Sequence, residues 1–178
     1  MVELLERKGL KRSFALGLIL IGIILFLGGI IYILIHQRAA NPTSAPLPTQ
    51  VANLDLVNRS FGRQAMAEVI HLHNQEFLLT SASVGRYGHE HSITIWTTGA
   101  PLRIVANRLV IEMRDRIDKT DTPFNPIGER RHGNRVIYEL TGLGQKHFYF
   151  QSANLIVWMA ADEQLADQAL VELLEFYP

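Results

Sequence analysis

FALGLILIGIILFLGGIIYILI, residues 14–35, runs for twenty-two positions without a charged side chain. At ~1.5 Å rise per residue a helix of this length reaches about 33 Å, enough to cross a hydrocarbon core of about 30 Å. A helix packed inside a soluble domain keeps a polar stripe, whereas this run is apolar on every face. One transmembrane helix over residues 14–35 is therefore expected. No second run of this kind follows it.

The flanks set the expected orientation. Arg7, Lys8, Lys11 and Arg12 precede the run, and only Arg38, with His36, follows closely. Basic residues are retained on the cytoplasmic side, so residues 1–13 read as a cytoplasmic basic N-terminus and everything beyond the helix as outside. In a bacterium this is a single-pass protein of the inner (plasma) membrane with a periplasmic or extracellular C-terminal domain. A cleaved signal peptide is the competing reading. Its apolar core is normally shorter, with a small-x-small cut site after it. Here the core is long and His36-Gln37-Arg38 follows.

Ala15, Gly22 and Gly29 recur every seven positions, and Gly28 widens the same stripe. Small residues let a second helix approach closely in lipid, where packing drives association. These four are the candidate helix-packing residues. The alternative is that glycine is common in membrane spans and the alignment is accidental.

Residues 36–50 follow, with AANPTSAPLPTQ at 39–50 carrying three prolines and no aromatic side chain. That composition favours an extended spacer. Residues 51–178 then form the expected extracytoplasmic α+β domain. It carries twelve Lys and Arg against fifteen Asp and Glu, net −3 before histidine. A nucleic-acid partner is excluded for want of a basic face. The sequence has no cysteine. This removes disulfides, thiol catalysis, covalent haem attachment and cysteine-ligated clusters, and no cofactor is expected. Asn58-Arg59-Ser60 matches a glycosylation triplet that has meaning only in a eukaryotic secretory setting.

Periodicity gives a coarse map of this domain. Strands are expected at 68–73, 76–84 and 92–97, with a turn at Asn74-Gln75 and a helix from Pro101 inward through Val105, Leu109, Met113 and Ile117. A loop is expected over 118–134, which holds Pro123, Pro126, Gly128 and Gly133. Strands follow at 135–141, 146–151 and 154–160, then a helix from an Asp162 cap to about Phe176, with Leu165, Ala166, Ala169, Leu170, Leu173 and Leu174 inward. The order reads βββα twice: an antiparallel sheet with two helices and a suspected duplication. Ile93-Thr94-Ile95-Trp96 and Leu155-Ile156-Val157-Trp158 are its shared phrase, and the two tryptophans are expected to fill space between sheet and helices. With both helices on one face, the other face, including His71, His73, Thr94, Glu139, His147, Tyr149 and Gln151, is expected to be mostly wet.

Histidine carries the only hint of chemistry. His71 and His73 on a strand would share one face, and His89 with His91 repeats the spacing around Glu90, so these four are the candidate ligands for Zn²⁺, Cu²⁺ or Ni²⁺. Neither pair completes a site alone. There is no G-x-S-x-G elbow or phosphate loop, and Gly142-Leu143-Gly144 lacks the third glycine of a dinucleotide loop. Ser81 and Ser83 form no recognisable triad, and Asp118, Asp121 and Glu129 do not follow a calcium-loop spacing. Arg130-Arg131-His132 could touch lipid headgroups or an acidic partner.

This pattern lacks catalytic and cofactor motifs and fits two functions. One is a cofactor-free accessory subunit of a multi-subunit membrane complex, with a bacterial energy-transducing electron-transport complex as one home for it. Its partners are other transmembrane and extrinsic subunits and membrane lipid. The other is a free-standing tethered module that binds a ligand, a metal or an envelope partner.

Overall fold

A computed structural model describes residues 2–73, 77–119 and 122–178; the turn expected at Asn74-Gln75, the strand start at Glu76, and Asp121 lie outside the described residues. The chain divides into two compact units, Met1–Gln37 and Arg38–Pro178.

The first unit belongs to one helix, α1 (Val2–Ala40), which runs five residues past the apolar stretch. Within it Phe14–Ala40 has the length and composition of a membrane span or a signal sequence, and none of the side chains of its most apolar window is buried. Nothing from His36 to Ala40 opposes helix, and the stop comes at Asn41. The ring of Pro42 disfavours helical backbone at the residue before it.

The second unit is an α+β sandwich. Its elements in chain order are β1 (Gln50–Val51), β2 (Leu54–Phe61), α2 (Arg63–His73), β3 (Ser81–Tyr87), β4 (Ile93–Gly99), α3 (Arg103–Lys119), β5 (Phe124–His132), β6 (Arg135–Gly142), β7 (Gln145–Ser152), β8 (Leu155–Ala161) and α4 (Glu163–Phe176). The strands form one antiparallel sheet in the order β1-β2-β3-β4-β8-β7-β6-β5. Trp96 and Trp158 stand directly opposite each other on β4 and β8, at its centre.

Helices cover both faces. On one face α2 and α3 pack over Ala82, Val84, Trp96, Leu140, Tyr149, Ile156 and Trp158. On the other, α4 buries Ala166, Ala169, Leu170, Leu173 and Leu174 against Ile93, Ile95, Phe148, Phe150, Val157 and Met159. The inward stripe expected for α4 is thus present, and both tryptophans lie under helices as expected. Asp162 does stand at the N-cap, but its carboxylate accepts from Gln145 Nε2 at 3.1 Å and makes no bond to the helix amides.

Four expectations are corrected. Residues 68–73 are helical: Ala65, Met66, Val69 and Ile70 make a helical face. The short alternation EVIHLH fits either period until Ala65-Met66 decides it. Residues 124–132 are a strand, its ladder to β6 interrupted by a bulge between Pro126 and Gly128. Such a bulge lets an edge strand hold a proline. The polar face is not wet, because α3 covers His147 and Tyr149 (3 % and 1 % exposed), and Glu139 is buried on the α4 side. Finally, the order is not a plain βββα repeat. β2 was not foreseen, α2 stands between β2 and β3, and α3 and α4 lie on opposite faces, an arrangement that a twofold axis through the antiparallel β4–β8 pair does not produce.

The proline-rich segment behaves unlike a free spacer. From Thr43 onward it is fastened along the sandwich, with Ala45 buried and Leu47 packed on the core. Thr43 exchanges backbone bonds with Thr80 and Ala82, each at 3.0 Å, and Ala45 bonds the Ser83 hydroxyl through both its N–H and its carbonyl. The Tyr177 hydroxyl donates to the Pro46 carbonyl at 2.7 Å and that of Tyr87 to the Pro48 carbonyl at 2.8 Å. Proline lacks an N–H but keeps a carbonyl, so at Pro46 and Pro48 the strap is held from the acceptor side. Gly62 lets it pass. A Cβ there would stand 2.9 Å from the Pro42 carbonyl oxygen, and the positive φ of the residue already disfavours a side chain.

Candidate functional site

Three of the four expected metal ligands have described side chains. His71 lies on α2. The segment is helical, so the strand spacing on which its pairing with His73 rested is absent. His89, Glu90 and His91 form one exposed 3-10 turn, with φ of 58° at Glu90 and 61° at His91. Among the described residues no group of three or more His, Cys, Asp or Glu is placed to hold a metal ion. On α1, a Cβ added at Gly22, Gly28 or Gly29 meets nothing within 4 Å, and Ala15 is exposed.

What the fold does bring together are three polar clusters that sequence reasoning missed. The first is an aromatic ladder across β8, β7 and β6. Trp158 stacks on Tyr149 (centroids 5.1 Å, planes 8° apart), and Tyr149 on Tyr138 (4.7 Å, 13°). Register makes the stack, since the three residues are direct cross-strand neighbours. Beside it the Trp158 indole N–H donates to His147 Nδ1 at 3.1 Å, while His147 Nε2 lies 3.0 Å from the Gly142 carbonyl. The indole can only donate and the carbonyl can only accept, so the imidazole carries its proton on Nε2 and is neutral. Burial agrees, lowering the His147 pKa below its ordinary 6.5.

The second cluster centres on Glu139, 6 % exposed. Arg130 grips it with two bonds (2.6 and 3.0 Å), Lys146 adds a third (2.8 Å), and Arg130 also reaches Asp167 on α4 (2.9 Å). Burial alone would raise the Glu139 pKa, but the bonds from Lys146 and Arg130 outweigh it and hold the carboxyl below its ordinary 4.5. One member of the Arg130-Arg131-His132 run is thus an internal tie, while Arg131 and His132 stay exposed.

In the third, Glu68 on α2 accepts from Ser60 (2.6 Å) and Arg86 (2.8 Å), joining the helix to β2 and β3. Much of the acidic face of α4 is likewise taken up: Glu172 accepts the Ala52 N–H at 2.7 Å, and Asp167 serves Arg130.

Comparisons with protein-family models, curated proteins and solved structures return no match. The chemistry of the site is therefore read from the geometry alone. Glu139, Arg130, Glu68 and His147 are each turned toward other groups of the same chain. Among the described residues, no buried side-chain polar atom lacks a hydrogen-bond partner. Such networks fix a core and its register. What remains available is surface. Arg103, Ile104, Asn107 and Gln151 line one shallow groove, and residues 56–59 with Thr49 line another at the β2 edge.

Proposed function

We propose that the protein is a single-pass accessory subunit of a membrane complex, its outer domain bracing neighbouring subunits at a fixed distance from the bilayer. The observation that carries this reading is the strap. A module that fishes for ligand gains from a loose tether, whereas a brace needs its attachment short and stiff. Here only Asn41 and Pro42 separate the last helical residue from the first residue bonded to the sheet. The small-residue stripe of α1 supports the same reading, since it suits packing against other helices. Extraction in mild detergent followed by native electrophoresis tests it. Comigration with a stable assembly is expected, and migration as a single chain plus micelle abandons the proposal in favour of a free-standing tethered module. Replacing Gly22 and Gly29 together with leucine should weaken copurification of partners without preventing insertion; unchanged copurification would count against the helix-docking half.

A further inference from the structure

We infer that the outer domain rests one end of its sheet on the lipid surface. This rests on reading α1 as an uncleaved span.

Four backbone contacts define that end. Thr43 is bonded to Thr80 (3.0 Å), Thr80 to Gly99 (2.7 Å), Gly62 to Ala82 (2.9 Å), and Ala100 to Asn154 (2.9 Å). They gather the end of β2, the start of β3, the end of β4 and the β7–β8 turn around the point where the strap meets the sheet. Large apolar side chains are exposed there: Phe61 (57 %), Leu78 (41 %), Leu102 (55 %) and Ile104 (75 %). Arg63 and Arg103 open α2 and α3 at the same end, exposed and close in sequence to those side chains. Neither forms an ion pair among the described residues. At the other end lie the exposed His89-Glu90-His91 turn, Asp162 and Glu163, together with a lone exposed Leu143.

Chain length selects the occupant. The apolar run ends at Ile35, and the remaining helical residues to Ala40 rise about 8 Å. Three extended steps to Thr43 add at most about 10 Å. The polar interface on each side of the hydrocarbon takes up roughly 5–8 Å of that reach. The strap end of the sandwich is therefore held within about 13 Å of the headgroups, closer than any other part of the domain can be held. Apolar and aromatic side chains interspersed with arginine are the composition that partitions into such an interface, the apolar part seated at the acyl boundary and the guanidinium on phosphate.

The chain has no cysteine, so single labels are clean. Full-length Ile24→Cys, Ile104→Cys and Leu143→Cys would each carry the fluorophore NBD, in vesicles of phosphatidylcholine and phosphatidylglycerol with or without nitroxide-labelled lipid. Unchanged Trp96 and Trp158 fluorescence verifies the fold of each. The expected result is strong quenching at Ile24, and quenching at Ile104 at least threefold greater than at Leu143. Quenching at Ile24 with Ile104 no different from Leu143, as when a protein partner covers this end, overturns the lipid contact and leaves the span standing. No quenching at Ile24 removes the span and the proposal with it.

Discussion

Two extended, proline-bearing segments flank the same sheet and are built in opposite ways. The strap, residues 42–50, makes few ladder bonds, yet it buries Ala45 and Pro48 and is gripped through its carbonyls by Tyr87 and Tyr177. β5 makes a ladder along nearly its whole length with β6, yet all its residues after Phe124 are exposed. A ladder gives β5 its shape, while burial gives the strap its hold. Net hydrogen-bond stabilisation is only about 1 kcal/mol per bond, whereas full burial of a large side chain, such as the Tyr177 that grips the strap, contributes about 1.5–3 kcal/mol. The strap is therefore expected to be the stronger attachment despite its poorer secondary structure.

Substitutions break or sharpen that contrast. Both tryptophans lie in the second unit, so denaturant titration of the full chain followed by tryptophan fluorescence reports that unit alone. Tyr177→Ala removes a side chain 2 % exposed together with its bonds to Pro46 and Thr97. It should cost ~3–5 kcal/mol. Glu139→Gln leaves Arg130 and Lys146 without their buried charge. The expected loss is ~2 kcal/mol. Tyr177→Phe keeps the ring but orphans the Pro46 carbonyl, an expected loss of ~1 kcal/mol. Arg131→Ala, on the exposed side of the comparison, should stay within ~0.5 kcal/mol of the parent. If Arg131→Ala costs more than Tyr177→Phe, the ranking of the two segments is wrong.

Acid acts on the buried ties in a defined direction. Glu139 has a folded pKa below 4.5. Its stabilisation is fully present above the unfolded value and is lost as pH falls through the folded one. His147 has a folded pKa below 6.5. Its fold-favouring neutral form holds above that value, and stability begins to fall beneath it. Stability should therefore decline as pH falls below about 6.5 and fall again below about 4.5, and Glu139→Gln should flatten the lower limb. Because Trp158 donates to His147, its fluorescence should drop with a midpoint below 6.5, and the drop should vanish in His147→Gln. At the alkaline end burial pushes the Tyr177 hydroxyl up to about 12 from an ordinary 10.0. It favours the fold fully below the unfolded value and ceases to do so as pH climbs through the folded one.

The legible parts of the sequence were those where one period dominated. The apolar run of α1, the Leu-Ala stripe of α4 and the β-branched phrases before Trp96 and Trp158 each specify an element locally. The illegible parts were those where tertiary contact overrode local signals. β5 looked like a loop because its prolines and glycines are breakers in isolation, yet an edge strand with a bulge accepts them. α2 looked like a strand because EVIHLH is short enough to alternate by accident. The His71–His73 pair lost its strand spacing with that reassignment. The ladder, the Glu139 cluster and the strap join distant residues, in one bond as far as 131 positions apart, so no spacing could announce them. One signal was available: Glu139 falls on the same alternation as the buried Ile137, which hinted at a carboxylate heading inward.

The exposed β5 has one more consequence. A bare strand margin offers unpaired backbone groups to a second copy, an invitation to zip into ribbons. Pro126, the bulge beside it and the exposed charge of Arg131 spoil that margin as a template. Crowding should therefore leave this protein monodisperse along its β5 flank.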